Sequence, residues 1–149
     1  MENDGKWFEY SLSDAWYIPI SSVTVLKGEK NTAVFAIPED GVQFEPIQNS
    51  LHSRELSGEV MNEIQHILSD DRLYAIDELE FVPVFDGYKN RFYFSDGKRQ
   101  IELYGSNIFY CTDDPEAYPN AAVVIEVLEK LGDILTKAGV DPACFKLSI

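Results

Sequence analysis

The sequence predicts an α+β fold: a mostly antiparallel sheet packed with two α-helices, at about 55–69 and 120–138, in the order β-meander, helix, β-hairpins, helix, terminal strand. Three observations lead there. β-branched and aromatic runs separated by turn-rich gaps fill residues 6–47, two later stretches switch to the helical period, and an Asp-Gly pair at 96–97 joins two alternating segments.

The first runs are Trp7-Phe8-Glu9-Tyr10, Val23-Thr24-Val25-Leu26 and Ala33-Val34-Phe35-Ala36-Ile37, the last two linked by Lys27-Gly28-Glu29-Lys30-Asn31, a hairpin-loop composition. A meander is the simplest arrangement. Asp40-Gly41 predicts a further tight turn into Val42-Gln43-Phe44, which Pro38 and Pro46 push to an edge because proline donates no ladder hydrogen bond.

Between residues 55 and 69 the period changes. Val60, Met61, Ile64, Ile67 and Leu68 recur at i, i+1, i+4, i+7 and i+8, one helical face. Glu55, Glu59 and Glu63 fall on its solvent side, Ser53 or Ser57 supplies a cap, and Asp70-Asp71 mark the exit.

Asp96-Gly97 predicts a two-residue turn, pairing Phe92 with Ile101 on one face and Arg91 with Glu102 on the other. Phe81 to Phe85 and Asn107 to Cys111 are expected as flanking strands, the former at an edge or bulge because of Pro83. Pro119 or Asn120 then opens the second helix, with an apolar stripe of Val123, Val124, Val127, Leu128, Leu131, Ile134, Leu135 and Ala138. Gly139 closes it, and alternation in residues 143–149 predicts the terminal strand.

No repeat, low-complexity stretch or linker interrupts the 149 residues, so one domain over residues 1–149 is expected. Net charge is −14, with acids spread through both halves of the chain. Such a surface disfavours nucleic acid and anionic membranes, whose binding draws on Lys and Arg, and steers basic macromolecules toward it. Residues 1–6 carry no export signal and no run approaches the ~20 apolar residues that cross a bilayer. Cys111 and Cys144 therefore read as buried thiols in a reducing, cytoplasmic setting.

Sites for bond-making chemistry are weakly signalled. His52, His66, Cys111 and Cys144 lack zinc-ligand spacing, no nucleophile elbow or phosphate-binding glycine loop occurs, and no cofactor is expected. Carboxylate pairs at Asp70-Asp71, Glu78/Glu80 and Asp113-Asp114 read as solvated loops in so acidic a chain.

Recognition is better supported. Aromatic residues outside the core phase sit beside acids, and the candidate partner-binding set is Trp16, Tyr17, Tyr110, Asp113, Asp114, Glu116 and Tyr118. The expected function is a non-enzymatic module that binds a basic protein, with an antidote or immunity-type inhibitor as the concrete form. The alternative is a small-ligand-binding domain or an enzyme assembled from the distant Cys and His residues. A homodimer through a sheet edge is a third arrangement.

Overall fold

The computed structural model describes residues 5–38, 49–83 and 87–148. Six antiparallel strands form one sheet in the order β4-β3-β2-β1-β5-β6, comprising β1 (Lys6–Asp14), β2 (Pro19–Leu26), β3 (Asn31–Pro38), β4 (Asn49–Leu56), β5 (Tyr88–Ser95) and β6 (Gln100–Ser106). Among the described residues three α-helices accompany it: α1 (Gly58–Leu68), the single-turn α2 (Asp71–Tyr74) and α3 (Pro119–Lys137). The α+β fold and its rough order are thus as the sequence predicts.

The meander expected at the start of the chain runs from β1 to β4, and β1 then takes β5 on its free side. Strand register aligns one apolar row across the sheet: Leu103, Phe92, Tyr10, Val23, Phe35 and His52 are successive cross-strand partners. Because side chains alternate between faces, this row and the next, through Phe94, Phe8, Val25 and Ala33, point to the helix side. Phe8 stacks on Phe94 with centroids 5.9 Å apart and Tyr10 on Phe92 at 4.9 Å. These rings, with Met61, Ile64 and Leu68 of α1 and the stripe of α3, make one contiguous buried cluster.

The opposite face of the sheet carries Ser11, Ser13, Thr24, Lys89, Arg91, Glu102 and Tyr104. Hydroxyl and charged groups there need no cover, which is how an antiparallel sheet can leave one face to solvent.

Helix termini follow local chemistry. Ser57 caps α1 by accepting from the Val60 amide at 3.2 Å, and Asp70 caps α2 through the Arg72 amide at 3.0 Å. Gly139, at φ 106°, occupies the left-handed position just past α3 that a side chain would strain.

Several segments differ from expectation. Residues 55 and 56 end β4 rather than starting α1, and β4 itself was not anticipated. The β5–β6 loop has four residues, 96–99, so Phe94 faces Ile101 and Phe92 faces Leu103. Asp96 is the cause: its carboxylate accepts from the amides of Lys98 at 2.9 Å and Arg99 at 2.7 Å, closing a wider loop than the two-residue turn. The shift is two residues, which keeps every side chain on its predicted face. Arg91 still reaches Glu102, diagonally, with Nε 2.8 Å from Oε1.

Residues 108–111 form a 3-10 turn instead of a strand, because Asn107 at φ 56° turns the chain out of β6. Residues 81–83 are irregular; residues 84 and 85 of that expected strand, and the Asp40-Gly41 turn with Val42 to Phe44, lie outside the described residues. The terminal segment is a 3-10 turn at Pro142–Phe145 followed by an extended tail, not a sheet strand among the described residues. Side chains replace the ladder there: Tyr10 donates to the Lys146 carbonyl at 2.7 Å and Asn90 to the Leu147 carbonyl at 3.2 Å. The tail turn seats Phe145 on α3 where Gly132 leaves room, since a Cβ there would lie 3.1 Å from the ring.

Candidate functional site

The turn between β1 and β2 is built around one carboxylate. Asp14 accepts from the amides of Trp16 at 2.8 Å and Ile18 at 2.9 Å, while its backbone bonds Ile18 and Tyr17. These bonds satisfy the amides of Trp16, Tyr17 and Ile18 within the turn and leave their side chains outside. Trp16 is 79% exposed, Tyr17 72% and Ile18 41%. Tyr17 adopts φ 62°, a left-handed conformation that a bulky residue reaches at a cost of about 1 kcal/mol. Strain and three adjacent exposed apolar side chains make this tip the candidate contact surface.

Tyr110 joins the same end of the molecule. Asp14 pairs with Tyr88 across β1 and β5, Tyr88 meets Phe109 edge-on with centroids 6.1 Å apart, and Phe109 packs on Tyr110 at 4.1 Å. Tyr110 is 51% exposed and leads into exposed Asp113, Asp114 and Glu116. Asp114 has a structural task as well, accepting from the Ala117 amide at 3.2 Å. Tyr118 stands apart: it is half-buried against the core at the start of α3. Trp16 and Tyr17 are thus linked to Tyr110 through Asp14, Tyr88 and Phe109, the acids follow Tyr110 along the chain, and Tyr118 packs on the core.

Lys89, Arg91 and Tyr104 were not singled out as site residues, yet they line the open sheet face beside the tip. Lys89 Nζ lies 5.8 Å from the Tyr17 ring centroid and the Arg91 guanidinium 5.7 Å from that of Tyr104. Residues 89 and 91 share a face by strand alternation, a usable signal once β5 is placed; their proximity to residues 17 and 104 depends on cross-strand pairing, which no local pattern supplies.

The residues weighed for catalysis are dispersed. Cys144 donates to the Ala36 carbonyl at 3.9 Å, and burial, followed by the charge of Asp141, pushes its thiol up to about 12. Burial, then Glu80, likewise raises Cys111. Both thiols are free and buried. His52 stacks on Phe35 at 5.2 Å, while His66 is exposed on α1. Of the carboxylate pairs, Asp70 binds Arg72, Asp71 binds Arg99, and Glu80 receives the first amides of α3. Among the described residues, no three His, Cys, Asp or Glu side chains are placed to hold a metal ion, and no helix is long and apolar enough to cross a membrane.

No protein-family model matches the chain, and a search of curated proteins finds no match.

Proposed function

We propose that this protein is a non-enzymatic interaction module that docks a basic protein through the β1–β2 tip and the acidic loop at the same end of the sheet. The observation that carries the reading is the strained, Asp14-anchored turn holding Trp16, Tyr17 and Ile18 in solvent. Aromatic side chains with few rotors give large contact area at low entropic cost, the usual make-up of interface hot spots. Asp113, Asp114 and Glu116 beside Tyr110, within a chain of net charge −14, select a cationic surface and speed encounter with it. Thiols held neutral by burial are the reverse of an activated nucleophile, which argues for holding rather than for chemistry. An antidote that covers a basic working surface of its partner, in a reducing compartment that suits two free thiols, is the concrete form of this proposal.

The test is affinity capture from the native host with the wild-type chain and a Trp16→Ala/Tyr17→Ala variant, at low and high salt. The expected result is a basic protein retained by the wild type, released by salt and lost from the variant. Equal recovery of that protein by both chains would remove the tip from the interface.

A further inference from the structure

A groove of about 400 Å³ lies on the open sheet face, between the β1–β2 tip and the end of β6, lined among others by Ser13, Tyr17, Lys89, Arg91, Tyr104 and Ser106. That volume falls in the ~300–1,000 Å³ range of small-molecule sites. The charged side chains lining it are Lys89 and Arg91, both cationic, in a chain whose net charge is −14. Arg91 is neutralised by Glu102, and nearby Glu9 by Lys6 at 3.1 Å. The carboxylate of Asp14 is taken up by the backbone of the tip. Lys89 has a different partner: its ammonium donates to Ser106 Oγ at 3.0 Å, and no carboxylate among the described residues pairs with it.

Among the described residues Lys89 is thus a cation without an ion pair, its ammonium held by one hydroxyl. Ser106, accepting from Lys89, keeps its own hydroxyl hydrogen for a ligand. The Tyr17 ring lies 5.8 Å from this charge, and Tyr104, whose ring faces Arg91 at 5.7 Å, lines the same groove. We propose that the groove binds a small aromatic monocarboxylate, with its carboxylate on Lys89 and Ser106 and its ring against Tyr17 and Tyr104. A single net charge suits a carboxylate better than a phosphate dianion, and the tyrosine faces suit a flat ring better than an aliphatic chain. The proposal does not rest on the protein-docking reading; it concerns a separate wall of the same tip.

The test is an NMR titration of the full chain with benzoate, benzamide and inorganic phosphate. Benzoate is expected to give saturable shifts at Tyr17, Lys89, Tyr104 and Ser106, binding at least about tenfold more tightly than neutral benzamide, the value of one charge-assisted hydrogen bond. Lys89→Met should weaken benzoate by a similar factor, and Tyr104→Leu, at an exposed position outside the core, should weaken it as well. Absence of saturation, equal affinity for benzamide, phosphate binding more tightly than benzoate, or unchanged affinity in folded Lys89→Met would each overturn the assignment.

Discussion

Asn90 is the residue on which the most segments converge. It is buried, donates to Tyr10 Oη at 3.0 Å and to the Leu147 carbonyl at 3.2 Å, and its oxygen faces the Ile108 amide at 3.5 Å. Tyr10 in turn donates to the Lys146 carbonyl at 2.7 Å, so one amide side chain ties β1, β5, the turn after β6 and the tail together. Its burial raises the Tyr10 hydroxyl well above the ordinary phenol range, against the lowering effect of Asn90. Removing Asn90 leaves buried groups unsatisfied on several segments at once, each costing ~1–3 kcal/mol. Asn90→Ala should therefore destabilise the protein by about 3 kcal/mol and Tyr10→Phe by about 1 kcal/mol, measured by urea unfolding. An Asn90→Ala loss below about 0.5 kcal/mol would show that the network is not structural. None of this was legible beforehand, because Tyr10 and Asn90 are eighty positions apart. The exposed tip was legible: Trp16-Tyr17 falls between strand-like runs, where rings have no core to join.

α3 shows how an element can depend on a distant residue. Its N-cap is Tyr118, which gives no side-chain cap, and Pro119 follows. The missing acceptor is Glu80, whose two oxygens take the amides of Asn120 at 3.0 Å and Ala121 at 2.8 Å. A carboxylate at this positive end both satisfies orphan amides and complements the helix dipole. Glu80→Gln should cost about 1 kcal/mol in thermal or urea unfolding, whereas Glu78→Gln, two residues earlier, should leave stability unchanged within about 0.5 kcal/mol. Equal effects at both positions would assign the loss to general charge instead.

The helices were readable because their apolar stripes are long; Ile64, Leu68, Val124, Leu128 and Leu135 are buried where the period puts them. Strand β4 was hidden by its composition: Ser53, Arg54 and Glu55 suit an exposed edge, and none marks a strand without its partner β3. The β5–β6 register slipped for a related reason, since Asp-Gly fixes a two-residue turn only when the aspartate does not reach two further amides. Cross-strand neighbours such as Tyr17 and Lys89, or Arg91 and Tyr104, follow from pairing and so stayed invisible.

For the whole molecule, charge and burial set opposite limits on stability with pH. Asp70 is held below the usual carboxylate range by the Arg72 side chain, Glu102 by the Tyr104 hydroxyl and then Arg91, and Glu126 by Arg72. At Asp96, burial acts upward and is outweighed by the Arg99 and Lys98 amides. For such depressed groups the unfolded chain takes up protons first, so stability falls as pH drops below about 4. From neutral pH down to about 5, relief of self-repulsion in a chain of net charge −14 works the other way. At the alkaline end Cys144, near 12 when folded, keeps its proton while the unfolded thiol loses it. Stability should thus peak at about pH 5–6 and decline again above ~8.5. Urea midpoints across the range check this, and Cys144→Ala should flatten the slope between about pH 8.5 and 10; an unchanged slope would remove the buried thiol as its cause.

In the proposed docking, an acidic body with an apolar tip would make two separable contributions: charge would govern the rate and salt dependence of encounter, and the rings, once covered by the partner, residence. The measurement that tests this proposal most directly is the equilibrium affinity for a basic protein recovered by the capture experiment, by calorimetry, for wild type and Trp16→Ala/Tyr17→Ala across a range of salt. The predicted result is a loss of about 2–4 kcal/mol in the variant with the same salt slope as the wild type. A variant that binds as tightly as the wild type, or an affinity that does not respond to salt, would contradict the account.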